Sequence, residues 1–180
     1  RSMFGSAKER APDPDSQKAV CFTEIPLTEL KRIANRRSSF GIAFTKPYAV
    51  MRGANPIWYA YKDQSPAENI RHLIAEAIKR GDKDDPIFKI SPFVDIPGTY
   101  YGSPYLFEWE REWRKQGDFR FFTEDVEFII MPEEYHVHAK RFFSGLKKHP
   151  QLGPSYESPL IDALWKRKKI RKVLIDAAGQ

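Results

Sequence analysis

The sequence predicts an α+β domain whose sheet is mainly antiparallel and flanked by helices. Three observations lead there. Short apolar and aromatic runs recur at 18–23, 40–45 and 56–61, the length and composition of strands. Residues 65–80 repeat apolar side chains every three or four positions, the period of a helix with one buried face. Between them and the C-terminus, Phe107-Glu-Trp-Glu-Arg-Glu-Trp-Arg114 alternates with period two. As a strand it turns Glu108, Glu110, Glu112 and Arg114 to one side and Trp109, Arg111 and Trp113 to the other. A row of carboxylates raises its own pKa values or demands a cation. The segment therefore reads either as a solvated strand face or as a strand anchored by tryptophans that presents acids to a cleft.

The 180 residues suffice for one core. An apolar content of 41% with 14% aromatic residues is that of a folded chain. No run approaches the roughly 18 apolar residues of a membrane helix, and no secretory leader is expected. A single cysteine excludes an internal disulfide framework and fits a reducing cytoplasm. The net charge of +6 favours an anionic partner, though many soluble proteins are equally basic. The chain opens on Arg1 with Met3 behind it, so it is expected to lack native leading residues or to carry a non-native lead.

In order, residues 1–17 read as a polar arm, with Pro12 and Pro14 among charges. Lys18–Thr23 is the first strand. Pro26 opens a helix to about Arg36, with Leu27, Leu30 and Ile33 on one side. A strand at 40–45, a short helix at 46–52 stopped by Gly53, and an aromatic strand at 56–61 follow. Ser65, Pro66 and Glu68 form a capping signature for the clearest helix, whose stripe is Ile70, Leu73, Ile74, Ala77 and Ile78 and whose stop is Gly81. Residues 82–104 hold four Pro-containing turn signals and read as a long loop with one short element near 87–90. After the acidic strand come strands at 118–122 and 126–131. A helix from Pro132 to about Leu146 buries Tyr135, Ala139, Phe142, Phe143 and Leu146. A last helix starts at Ser158-Pro159 and runs to about Trp165. The expected organisation is an arm at 1–17, one core at 18–147 and a basic extension at 148–180.

Several chemistries find no footing. His136 and His138 do not converge on a helix, His72 and His149 have no ligand-spaced partner, and one cysteine builds no zinc cage, so no protein-held metal is expected. Cys21 sits in an apolar strand, where a thiol is inert. No nucleophile elbow, dinucleotide fingerprint or P-loop is present. Two features remain. Lys166, Arg167, Lys168, Lys169, Arg171 and Lys172 form a block suited to neutralising phosphates, or simply a solvated helix end whose cations match the dipole. The paired acids suit acid–base work or stabilisation of an oxocarbenium ion. Phe22, Phe40, Phe44, Trp58 and Tyr59 offer a stacking wall, or else ordinary core.

Four blocks, Cys-Phe-Thr-Glu-Ile-Pro-Leu (21–27), Phe-Gly-Ile-Ala-Phe-Thr-Lys (40–46), Gly-Ala-Asn-Pro-Ile-Trp-Tyr (53–59) and Glu-Arg-Glu-Trp-Arg (110–114), occur together in this order. On them the chain resembles the AbiGi family of abortive-infection proteins over about 18–133, with the basic C-terminal part outside. That resemblance implies phage resistance and an antitoxin role, with a cognate toxin or antitoxin protein as partner. More distantly the layout is similar to ADP-ribosyltransferases, which implies a split antiparallel core and NAD as substrate. On that likeness Thr23 stands for the second-strand hydroxyl, and Glu110 and Glu112 for the catalytic Glu-x-Glu. Glu112 would hold the ribose and Glu110 orient the nucleophile. Arg114 would meet an acid or the pyrophosphate, with Phe22 and Phe44 beside the cofactor. The family's first-strand His or Arg is not found in 1–17. Two further readings stay open: a non-catalytic antitoxin or nucleic-acid binder using the 166–172 block, and a Mg²⁺ nuclease using Glu108, Glu110 and Glu112.

Overall fold

A computed structural model describes every residue except Arg1, Phe4, Glu9 and Gln180. The described chain forms β1 (Ser2–Met3), β2 (Lys18–Thr23), α1 (Leu30–Arg36), β3 (Gly41–Ala43), α2 (Lys46–Met51), β4 (Asn55–Pro56), β5 (Trp58–Tyr59), α3 (Ser65–Arg80), α4 (Ile87–Ile90), β6 (Val94–Asp95), β7 (Gly98–Tyr100), β8 (Ser103–Tyr105), β9 (Glu112–Gln116), β10 (Phe128–Ile130), α5 (His136–Lys148), β11 (Leu160–Ile161) and α6 (Arg167–Ala178). The fold is mixed α/β with small, mostly antiparallel sheets. Two compact units are present: unit 1 is Arg1–Glu24 with Val50–Phe119, and unit 2 is Ile25–Ala49 with Arg120–Gln180. These limits coincide with neither boundary of the expected arm, core and extension.

In unit 1 the largest sheet has the order β1-β2-β9-β4, all antiparallel. β2 is the expected first strand, and its pairing sets Thr23 opposite Glu112 and Cys21 opposite Arg114. The expected strand at 56–61 breaks at Ile57: β4 joins this sheet, while β5 pairs in parallel with β6. The core is built on α3, where Ala67, Ile70, Ile74 and Ala77 recur at helical spacing and are buried. Leu73, expected in that stripe, is 53% exposed. The helix stops at Gly81 in the left-handed conformation, but Gln64 stands at the N-cap and Ser65 is already helical, so the expected capping box does not form. Described residues of the segment read as a polar arm are packed. Ala7 is fully buried, and Gln17 donates to the Phe88 carbonyl at 2.9 Å and accepts from Ser91 Oγ at 2.9 Å.

In unit 2, β10 is central to the order β11-β10-β3, parallel to β11 and antiparallel to β3. Leu30, Ile161, Ala163 and Ile170 close one core, and Val126, Ile129, Met131 and Leu160 a second. Residues 118–122, expected as a strand, are irregular. On α5, Leu146 is buried as expected, whereas Tyr135 just before it and Phe142 are largely exposed. The last helix does not start at Ser158. That residue instead donates its hydroxyl to the Val126 carbonyl at 2.8 Å and leads into β11. The basic block belongs to α6, with Ile170 buried and Val173 and Leu174 packed beside it.

Candidate functional site

The acidic stretch is not one strand. Glu108–Glu110 form a 3-10 turn, closed by Glu110 N–H to the Phe107 carbonyl at 2.9 Å and Arg111 N–H to the Glu108 carbonyl at 3.1 Å. Arg111 then takes the left-handed conformation, φ 47° and ψ 58°, which swings the chain into β9 at Glu112. The three carboxylates therefore never share one period-two face. Only Glu112 and Arg114 keep the expected relation, two apart on one side of a strand.

Those two are bonded to each other. Arg114 is 1% exposed, and its Nε donates to Glu112 Oε1 at 2.7 Å and its Nη2 to Glu112 Oε2 at 3.1 Å. The same guanidinium donates to the Pro92 carbonyl at 2.8 Å and to Asp95 Oδ2 at 3.1 Å. Burial disfavours its charge, but the bonds and charges of Glu112 and Asp95 outweigh burial and raise its pKa. The fork geometry of arginine suits this paired recognition of carboxylates. Cys21, opposite Arg114 in the sheet, has its thiol pushed well up, first by burial and then by Glu112. A raised pKa lowers the fraction of thiolate, which is the nucleophilic form.

The other expected cofactor contacts are placed as follows. Thr23 Oγ1 donates to the Glu110 carbonyl at 2.5 Å, steadying the turn before β9. Glu110 is 8% exposed. Phe22 packs edge-on against Phe119 in unit 1. Phe44 belongs to unit 2, where it stacks on Tyr48 and meets Phe121 edge-on. Tyr59 accepts the Glu112 backbone N–H at 3.2 Å. Among the described residues, no group of three or more His, Cys, Asp and Glu side chains is arranged to hold a metal ion.

Asp95 carries the network outward, and sequence reasoning passed over it as loop. Tyr105 donates its hydroxyl to Asp95 Oδ2 at 2.8 Å, and burial followed by the Asp95 charge raises its pKa. Tyr105 begins an aromatic row on the β7–β8 hairpin, with ring centroids 6.3 Å from Tyr100 and 5.0 Å from Phe107. Lys62 lies 4.8 Å above the Tyr100 ring and donates to the Thr99 carbonyl at 2.8 Å. The two-residue tip, Tyr101-Gly102, has φ 49° and 80°, as a tight hairpin turn requires. Gly102 suits that geometry and Tyr101 does not, yet the Tyr101 side chain is fully exposed. Leu106, which follows β8 at the base of the hairpin, is 51% exposed. The sequence signal was Gly102 set between aromatic residues, a turn marker hidden in a stretch read as loop.

The cationic block is wholly at the surface: Lys166, Arg167, Lys168, Lys169, Arg171 and Lys172 are all exposed. Lys166 is the N-cap and the others occupy the start of α6. The block thus lies at the positive end of the helix dipole, not at the C-terminal end where a solvated basic tail would be favoured. Lys169 pairs with Glu133 at 2.7 Å and sits 3.7 Å above the Trp165 ring. Lys169, then the hydrogen bond from Trp165, lower the Glu133 pKa.

A mixed α/β fold with small sheets, its central acid held by a buried arginine, defines the architecture. The chain belongs to the AbiGi family: the family model described as "Putative abortive phage resistance protein AbiGi, antitoxin" matches residues 1–148. The match is wider than the 18–133 expected and still ends before α6. Membership sets the chain among abortive-infection, phage-resistance proteins. No curated protein and no solved structure matches it, so the expected likeness to ADP-ribosyltransferases is not found. No described helix is long and apolar enough to cross a membrane.

Proposed function

We propose that the chain acts in the cytoplasm, in phage defence, as an antitoxin that neutralises a protein toxin by binding it, with the β7–β8 hairpin as the contact. The observation that carries this reading is a hairpin anchored from below that exposes Tyr101 at its tip, with Tyr105 38% exposed and Tyr100 and Phe107 half-buried against it. Glu112 fixes Arg114, Arg114 fixes Asp95, and Asp95 fixes Tyr105. Tyrosine buries large rigid area at small entropic cost, and it is enriched among residues that dominate binding energy. Keeping Tyr101 in a left-handed conformation costs about 1 kcal/mol, and strain of this kind collects at functional positions.

NAD-dependent transfer, with Glu112 and Glu110 catalytic and Thr23, Phe22, Phe44 and Arg114 at the cofactor, has less support. A carboxylate bonded through both oxygens to a buried arginine is poorly placed to hold a ribose.

The test is co-expression with the candidate toxin of the same defence locus, scored by growth. Tyr101→Gly removes the ring and relieves the strain. It is expected to keep or raise the melting temperature while losing rescue and co-purification. Full rescue by Tyr101→Gly together with Leu106→Ser would overturn the hairpin contact. Transfer of label from NAD to protein, DNA or RNA, lost in Glu112→Gln, would overturn action by binding alone.

A further inference from the structure

The outward side of α6 is mainly cationic, with Ile175 its one large exposed apolar side chain. Arg167, Lys168, Arg171 and Lys172 are exposed and recur at i, i+1, i+4 and i+5, which sets them along one face. Among the described residues none of the four has an ion-pair partner. Together with Ile175 and Asp176 they line a shallow hollow of about 520 Å³. Lys169, in the middle of the block, points elsewhere and is tied to Glu133 and Trp165.

This concentration of cations is unfavourable for the helix alone. Like charges four apart repel. The first turn holds no acid to offset the positive end of the dipole, and no described side chain caps the helix start. An anion at this surface would relieve all three at once, and backbone N–H groups at a helix start add donors to it.

We infer that α6 binds the phosphate backbone of a nucleic-acid duplex. The chemistry of the face selects among anionic partners. Single strands are held by bases stacked on aromatic rings, and the exposed positions of this helix carry none. Membrane-surface helices bury an apolar side in lipid, but here Ile170, Val173 and Leu174 are committed to the unit 2 core. Protein interfaces centre on an apolar patch with charges at the rim, whereas Ile175 is the single large apolar side chain that α6 exposes, set among four unpaired cations. Because α6 lies beyond residue 148, where the family match ends, the activity would belong to this chain's C-terminal part.

The inference is independent of toxin neutralisation, and the two can fail separately. The full chain is titrated into a fluorescein-labelled random-sequence duplex of about 20 base pairs, with anisotropy read from about 50 to 300 mM NaCl. Four phosphate contacts predict a log–log salt slope near −3 to −4, at about −0.9 per phosphate. Arg171→Ala and Lys172→Ala each flatten it by about 1, whatever the sequence. Lys168→Glu with Lys172→Glu abolishes binding, whereas Lys169→Gln leaves the slope unchanged. Circular dichroism confirms that each variant is folded. No duplex binding at about 50 mM NaCl, or binding indifferent to the Arg171 and Lys172 variants, would overturn the inference. So would binding of phosphatidylserine vesicles or polyglutamate as tight as that of the duplex.

Discussion

Replacing Arg114 by methionine probes the unit 1 site most directly, because methionine fills similar space and donates nothing. Three acceptors lose a donor at once: the Glu112 carboxylate, the Asp95 carboxylate and the Pro92 carbonyl. Removing one partner of a buried ion pair costs about 3–5 kcal/mol. The stranded carbonyl adds about 1–3 kcal/mol. The side chains of Glu112 and Asp95 are 17% and 18% exposed, so water partly reaches them and the lower part of the range applies. We expect a net loss of about 4–6 kcal/mol, a large part of the roughly 5–15 kcal/mol that holds a domain folded. With a urea slope near 2 kcal/mol/M this shifts the midpoint down by about 2–3 M. Tryptophan fluorescence follows the transition, since Trp109 and Trp113 flank the site and Trp113 Nε1 donates to Glu24 Oε2 at 2.8 Å. Glu112→Gln alone should cost about 1.5–3 kcal/mol. The double variant should lose less than the sum by about 1–3 kcal/mol, because the pair acts as one unit. A midpoint shift below about 0.5 M for Arg114→Met, or strict additivity with Glu112→Gln, would refute the reasoning and return Glu112 to the pool of available acids.

Two further outcomes follow from unit 1 and unit 2 in turn. Burial pushes up the pKa of Cys21, Tyr59 and Tyr105, so the folded state keeps protons that the unfolded state releases above about pH 8.5 for a thiol and 10 for a phenol. Stability is therefore fully present below those values and falls as pH rises through them, and the urea midpoint should drop between about pH 8 and 10.5. Cys21→Ala should flatten the earlier part of that drop, and a midpoint constant with pH contradicts the assignment. In unit 2, Ile170 is 1% exposed, and Ile170→Ala should cost about 2–5 kcal/mol. It keeps every cation of α6 yet should weaken duplex binding. Unchanged affinity would mean that the charges act without the helix that spaces them.

Elements with a long apolar period were legible in the sequence. α3 was readable from Ile70, Ile74 and Ala77, and β2 from its unbroken apolar run. Short elements were not. β6, β7 and β8 hold two or three residues each, too few for a period to show, and the prolines around them read as loop. The acidic segment misled for another reason. Trp109 and Trp113 are two steps of two apart, and also one step of four. Neither period foretells that Arg111 adopts a left-handed conformation, which tertiary pairing imposes by fixing where β9 meets Thr23. In α6 the sequence left helix and edge strand both open for 173–175, although Ile170, Val173, Leu174 and Ala177 recur at i, i+3, i+4 and i+7; the surrounding cations masked the stripe.

The candidate site was legible as chemistry but not as geometry. Glu112 and Arg114 were singled out because acids in a row need a cation, and the cation proved to be Arg114 itself. Satisfying that need locally is what removes the acid from catalytic service. Each carboxylate oxygen bonded to a guanidinium is one fewer to receive a substrate hydroxyl, and the bond strengthens as burial deepens. The same logic, run with the opposite sign, applies to α6. There the cations are not answered by acids within the described chain, and Lys169, the one that is answered, marks what satisfaction looks like: an ion pair at 2.7 Å over an aromatic ring. Charge neutralised inside the fold builds structure, and charge left unanswered at the surface is available to a partner. By that criterion the acids of unit 1 hold a hairpin in place, while Arg167, Lys168, Arg171 and Lys172 are the residues a polyanion can still satisfy.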